Sequence, residues 1–308
     1  VNSPIRYEYD AGVAEYRKIG FIPAVLLLGV LFGIGVAMPR TLQYFGVYAQ
    51  PQQAQLSQSE KKPVELAQPA VIENKGTAGP EIVDGGLESL LSQWEAAHPD
   101  KDWSVAVQRL GEKPTSAYLN ADEQMEGASL YKLFLLKGLN EKVKFSQWGK
   151  TYVSGRTVKS CVEAMIRYSD NPCAVAISKM IDWRQLDGRL QALGMSGTEF
   201  NSDTPVVTAR DTALLLQLLN DGQFLESEAE NLVLTSMYKQ YYRKAIPAGV
   251  VGCETYNKTG DLNGHKHDAA IVKCGDLTYT VVIMSKGGTD AELAELSKSI
   301  NAYLFSRR

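Results

Sequence analysis

Strand-forming runs stand at both ends of a long helical stretch, and this arrangement most limits how the chain can fold. Trp103 to Arg109 and Thr115 to Leu119 read as strands joined by Gly111-Glu112-Lys113-Pro114. Glu254 to Lys258, Asp268 to Lys273 and Tyr279 to Met284 read as strands far downstream, and Ser129 to Asn220 between them reads as helix. Leu87, Leu90, Leu91 and Trp94 have helical spacing before the first strand, as do Leu293, Leu296, Ile300 and Leu304 after the last. An apolar sheet face must be covered. The pattern therefore predicts an α+β unit over residues 84–308: an antiparallel sheet built from both termini, flanked by N- and C-terminal helices, beside an all-helical lobe.

Residues Ile19–Met38 form an uncharged apolar run of twenty. As a helix it would cover ~30 Å, the thickness of a bilayer core. Arg6, Arg17 and Lys18 precede it and only Arg40 follows closely, so residues 1–18 are expected in the cytoplasm and the remainder outside. The rival is a cleaved signal peptide ending near Val47-Tyr48-Ala49, which also exports the remainder. Residues 39–83 are rich in Gln, Pro, Ala, Glu, Ser and Lys with no lasting period, and read as an extracytoplasmic linker.

With a net charge of −3 and no dense basic block, nothing points to nucleic acid. Four cysteines fit an oxidising compartment and formally allow three connectivities. They form two sequence-local pairs, Cys161 with Cys173 and Cys253 with Cys274. The second pair flanks a predicted hairpin centred near Asn263-Gly264, which sets its members opposite each other.

Three short strings carry the chemistry. Ser-x-x-Lys occurs at Ser59/Lys62, Ser129/Lys132 and Ser236/Lys239, but only Ser129 opens an apolar helical run, Leu133-Phe134-Leu135-Leu136. There Lys132 lies on the same face as the hydroxyl, and the helix start offers N–H groups to an oxyanion. The plain alternative is that Ser129 is a helix cap. A serine nucleophile needs a base. His98, His265 and His267 form no triad pattern; His265 and His267 suggest no metal site without a third ligand, and a solvated hairpin suits them. Lysine is the available base. Ser169-Asp170-Asn171 follows an amphipathic stretch and precedes Pro172, so Asn171 as cap with Pro172 opening a helix is its structural reading. Functionally, Ser169 would relay a proton to a leaving nitrogen and Asn171 would bind a substrate amide. Lys258-Thr259-Gly260 ends a predicted strand. There Gly260 would let substrate lie against the edge, Lys258 and Thr259 would meet a carboxylate, and the Asp261 N–H would join that of Ser129 around an oxyanion.

In this order the strings resemble the active-site set of the serine β-lactamase and penicillin-binding-protein superfamily, class A β-lactamases most closely, from roughly Leu87 to Leu304. Thr157-Val158, Pro247-Ala248-Gly249 and Asp268-Ala-Ala-Ile-Val resemble class A text as well. The resemblance implies a cofactor-free enzyme that acylates Ser129 with a β-lactam or a D-alanyl-D-alanine peptide of the peptidoglycan stem. It implies a neutral Lys132, depressed by burial and by the charge of Lys258. One departure stands out: the Glu-x-x-Leu-Asn string, whose glutamate activates the deacylating water in class A, is missing between Leu193-Gly194 and Thr208. Glu199 and Asp203 are the nearby carboxylates, and neither fits the pattern. Loss of a general base costs ~10²–10⁴ in rate, so slow deacylation is expected. The alternatives are an efficient β-lactamase with another base, and a tethered sensor without turnover.

Overall fold

The computed structural model describes residues 7–9, 16–18, 82–202 and 204–307. The Ile19–Met38 run and nearly all of the linker lie outside them; no helix among the described residues is long and apolar enough to cross a membrane. The chain divides into two units, Val1–Thr77 and Ala78–Arg308. In the first, β1 (Tyr7–Tyr9) pairs antiparallel with β2 (Tyr16–Lys18).

The second unit opens with α1 (Gly85–Ala97), whose N-cap Asp84 accepts the N–H groups of Gly86 and Leu87. Then come β3 (Asp102–Leu110), β4 (Thr115–Leu119), the short β5 (Met125–Glu126) and α2 (Tyr131–Lys142). The hairpin of β6 (Tyr152–Val153) and β7 (Arg156–Thr157) leads into α3 (Val158–Arg167), α4 (Asn171–Ser178) and α5 (Trp183–Ala192). β8 (Val206–Val207) pairs back with β5 before α6 (Ala209–Asn220), α7 (Ser227–Tyr238) and the short α8 (Ile246–Gly249). β9 (Glu254–Leu262), β10 (His265–Cys274), β11 (Leu277–Lys286) and α9 (Asp290–Ser306) complete it.

The five long strands form one antiparallel sheet in the order β4-β3-β11-β10-β9, so strands from both ends of the unit pair in its middle. Alternate residues feed two cores. Val105, Ala270, Val272 and Val281 pack with Leu87, Leu91, Leu293, Leu296 and Ile300 of the terminal helices. Ala269, Ile271, Val282 and Met284 face the helical lobe, against residues such as Leu133, Leu136, Met165 and Leu216. The α+β architecture is thus the one expected. Several boundaries differ, among them the start of β10 at His265 rather than Asp268, and two extend an element well beyond its expected end. Helices continue past Asn220, because α7 buries Ala229, Val233 and Met237 in the lobe. β9 continues past Lys258 to Leu262, because β10 pairs with it residue for residue up to the Asn263-Gly264 turn.

Both disulfides form as paired from sequence. Cys253 and Cys274 sit opposite each other just beyond the last β9–β10 pair, Glu254 with Lys273. Cys161 and Cys173 tie α3 to α4 with Cα atoms 5.0 Å apart.

Candidate active site

Ser129 stands in a single 3₁₀ turn, Ala128–Leu130, that leads into α2. It does not cap the helix: Leu130 occupies that position, with no side-chain capping bond. Its neighbour Ala128 has φ +42°, a left-handed conformation costly for a residue with a Cβ, and such strain gathers at functional sites. Ser129 is half-buried, whereas Lys132 is wholly buried on the first turn of α2.

The connection between α3 and α4 carries the second string. Asp170, not Asn171, caps α4, accepting the N–H of Cys173 at 2.8 Å. Ser169 has φ +59°. Asp170's cap, that turn and the Cys161–Cys173 bridge together fix the loop, so Ser169 and Asn171 both face Lys132. The Lys132 ammonium donates to Ser169 O at 2.7 Å, Ser169 Oγ at 3.2 Å and Asn171 Oδ1 at 2.6 Å. No carboxylate is among these acceptors.

The third string approaches from the sheet. On β9, Lys258 and Gly260 share the face turned to the helical lobe, since their partners on β10 are Ala269 and His267. Lys258 is wholly buried; its Nζ donates to Ser169 Oγ at 3.0 Å and to the Thr259 carbonyl at 2.7 Å. Gly260 lies directly against the Ser129 turn: a Cβ there would stand 3.1 Å from Ala128 Cβ and 3.2 Å from Ser129 N. Thr259 is half-exposed on this edge strand, and Asp261 is exposed with its carboxylate against the Lys266 ammonium.

A hydroxyl has two lone pairs and one proton. The Lys132 and Lys258 amines both reach the Ser169 oxygen, at 3.2 and 3.0 Å, so its own proton is available to a further acceptor. Burial lowers the Lys132 pKa to about 7, the nearby Asp170 charge opposing. Lys258 is lowered too, first by burial and then by repulsion from Lys132, with Asp268 opposing. Burial is thus the main cause, as expected. The mutual repulsion weighs on Lys258, not on Lys132 as sequence reasoning had it.

Two residues had no assigned role in the sequence. His267 is buried, not solvated as expected. Its Nδ1 accepts the Ser285 N–H at 3.2 Å, which leaves Nε2 to donate to the Glu126 carbonyl at 3.0 Å, three residues before Ser129. Burial drops its pKa to about 4, so it is a neutral clamp between the sheet and the segment that leads to Ser129. Asp268, buried on the opposite face, accepts from Ile246 N–H at 3.0 Å and Asn257 Nδ2 at 2.9 Å, and burial raises its pKa to about 7. The available signal was a lone aspartate opening an apolar strand run. Among the described residues no cluster of three His, Cys, Asp or Glu side chains could hold a metal.

Residues 146–304 match the family model described as Beta-lactamase enzyme family. That span includes the second and third strings but begins after Ser129 and Lys132, so it does not bear on those two residues. No curated protein matches the chain. Among solved structures, PBP-A is similar at 19% identity over 75% of this chain and 99% of its own, with a TM-score of 0.66. A PBP-A mutant solved as an acyl-enzyme complex with penicillin G has the same identity and TM-score over 75% of this chain and 100% of its own. The class A beta-lactamase from Clostridium kluyveri is 21% identical over 72% of this chain and 100% of its own, with a TM-score of 0.62. At these identities the likeness is one of fold.

Proposed function

Because this chain belongs to the beta-lactamase enzyme family, we propose that it is a serine acyltransferase whose Ser129 is acylated by β-lactams or D-alanyl-D-alanine peptides and released slowly. The observation that carries this reading is the meeting of Lys132, three residues after Ser129, with Lys258 on the Ser169 hydroxyl. Neutral Lys132 takes the Ser129 proton as Oγ bonds to the carbonyl carbon. The N–H groups of Ser129 and Asp261 receive the oxyanion, and Asn171 and Thr259 hold the amide and carboxylate of the substrate. As the C–N bond breaks, Lys132 donates to Ser169 Oγ and Ser169 passes its own proton to the departing nitrogen. Water then adds to the ester carbonyl, the bond to Ser129 breaks, and an acid and free serine remain.

Slow release is supported by the set around Lys132, which holds no carboxylate. Glu199 is exposed, its backbone bridged to Val206, and Asp203 lies outside the described residues. The acyl-enzyme of a PBP-A mutant with penicillin G supports β-lactams as one substrate class. Intact-protein mass spectrometry after exposure to benzylpenicillin is expected to show an adduct that persists and is lost in Ser129→Ala. Absence of any adduct on folded protein overturns the reading, whereas fast turnover of nitrocefin replaces slow release by an efficient β-lactamase. Release of D-alanine from a D-Ala-D-Ala peptide separates an enzyme from a sensor.

The apolar Ile19–Met38 run and the basic residues before it support a site held on the outer side of a membrane. Membrane fractionation of the full chain, compared with a chain lacking residues 19–38, tests this.

A further inference from the structure

A ledge of exposed tyrosines starts beside Ser169. Tyr168 directly precedes Ser169 and is 48% exposed; Tyr241 is 71% and Tyr242 48% exposed. Their rings run in series, with centroids 6.2 Å apart from Tyr168 to Tyr241 and 5.3 Å apart from Tyr241 to Tyr242. The segment bearing them is fixed at both ends. The Tyr241 N–H donates to Arg167 O at 3.0 Å and Gln240 Nε2 to Ile166 O at 2.8 Å, which satisfies the free carbonyls at the end of α3. Arg243 donates to Thr255 Oγ1 at 2.8 Å, and Asn257 Nδ2 to Tyr242 O at 3.2 Å, which ties the segment to β9 just before Lys258. The backbone and Gln240 do this capping; none of it needs the exposed rings.

The ledge therefore spans from the Ser169 loop to the Lys258 strand, the side of the cleft where the leaving nitrogen receives its proton. It is also basic. From Tyr238 to Ile246 the chain has three cations, Lys239, Arg243 and Lys244, and no carboxylate, and the Arg167 guanidinium lies 4.9 Å from the Tyr168 ring centre. A departing D-alanine is too small to follow two ring-to-ring steps. A row of exposed rings that starts beside Ser169, on a segment bearing cations, suits an extended, anionic ligand.

Resting on the acyl-transfer reading above, we propose that the preferred substrate is a D-alanyl amide whose leaving amine belongs to an acidic peptide, as in a peptide cross-link, and that Tyr168, Tyr241, Tyr242 and Lys244 bind that leaving peptide. Two synthetic substrates with one acyl part test it in the full chain: one releases D-alanine, the other an amine within a peptide carrying two carboxylates. The extended substrate is expected to have a kcat/KM higher by about tenfold. That ratio is expected to shrink in about 0.5 M salt and to fall toward one in Tyr241→Ala and in Lys244→Glu. A ratio of one in the unaltered protein, or a ratio untouched by both substitutions, overturns the proposal. The benzylpenicillin adduct on the same preparation separates the two readings. An adduct with a ratio of one sinks the ledge alone, while a missing adduct takes down the acyl-transfer reading and the ledge with it.

Discussion

At the residue scale the proposed chemistry depends on a lysine whose pKa burial brings down to about 7. Lys132 titrates at about 7 rather than its ordinary 10.5, because burial disfavours the ammonium. Only the neutral amine can take the Ser129 proton. The acylation rate by a chromogenic cephalosporin is therefore expected to rise with pH and level off above about 7, and Lys132→Arg should lower it ~10²–10⁴-fold and abolish that limb. The linkage sign follows from the same shift. Between about 7 and 10.5 the unfolded chain still holds the proton that the native lysine has lost, so Lys132 contributes stability that grows as pH rises through that window. Urea midpoints of the protein and of Lys132→Met, compared from pH 6 to 9, should diverge in that sense. Gly260 tests geometry instead of charge. A methyl group there would press on Ala128 and Ser129 N at 3.1 and 3.2 Å, so the nucleophile must shift. Gly260→Ala is expected to slow acylation about tenfold or more and to lower the melting temperature by a few degrees, the cost of overpacking a buried position.

At the scale of elements, the two disulfides sit on different supports and should fail differently. Cys161–Cys173 joins the two helices whose connection presents Ser169 and Asn171. Cys253–Cys274 closes the far end of the β9–β10 hairpin, five residues before Lys258, or ~16 Å along a strand. Removing either pair by serine substitution is expected to cost about 3 kcal/mol. Acylation measured beside thermal melting should separate them: the Cys161/Cys173 variant loses rate as well as stability, the Cys253/Cys274 variant stability alone. The same two elements show what could be read in advance. The β9–β10 hairpin was legible because the Asn-Gly turn and the flanking cysteines specify one register, and the structure keeps it from His265–Leu262 to Lys273–Glu254. The Ser169 loop was legible as a helix boundary but not in detail: Asp and Asn are equally good caps, and only the direction of the chain decides that Asp170 takes the role. The continuation of β9 through Thr259 and Gly260 was hidden, because glycine after threonine looks like a turn until β10 is known to pair with it.

At the scale of the whole catalytic unit, the architecture was written in the order of its elements, because strands at both ends leave few ways to build one sheet. The site's partnerships were not. That Lys258 meets Ser169 depends on a chain separation of 89 residues closing on one place, and no local period encodes that. The clamp of His267 was invisible for the same reason: its neutrality comes from a burial that only the assembled lobe supplies. The sheet serves both cores, with Leu135 buried on the lobe side and Leu296 on the side of the terminal helices. Neither core can be lost without exposing a face of strands that also line the other, so the unit over residues 84–308 should unfold as one cooperative body. Leu135→Ala and Leu296→Ala each leave a cavity worth 2–5 kcal/mol, at roughly 2–4 °C of melting temperature per kcal/mol. Calorimetry is expected to show a single transition lowered by both substitutions. Two resolved transitions, one moved by each, would mean that the lobes fold independently and that the cleft between Ser169 and Lys258 is held by their docking rather than by a shared sheet.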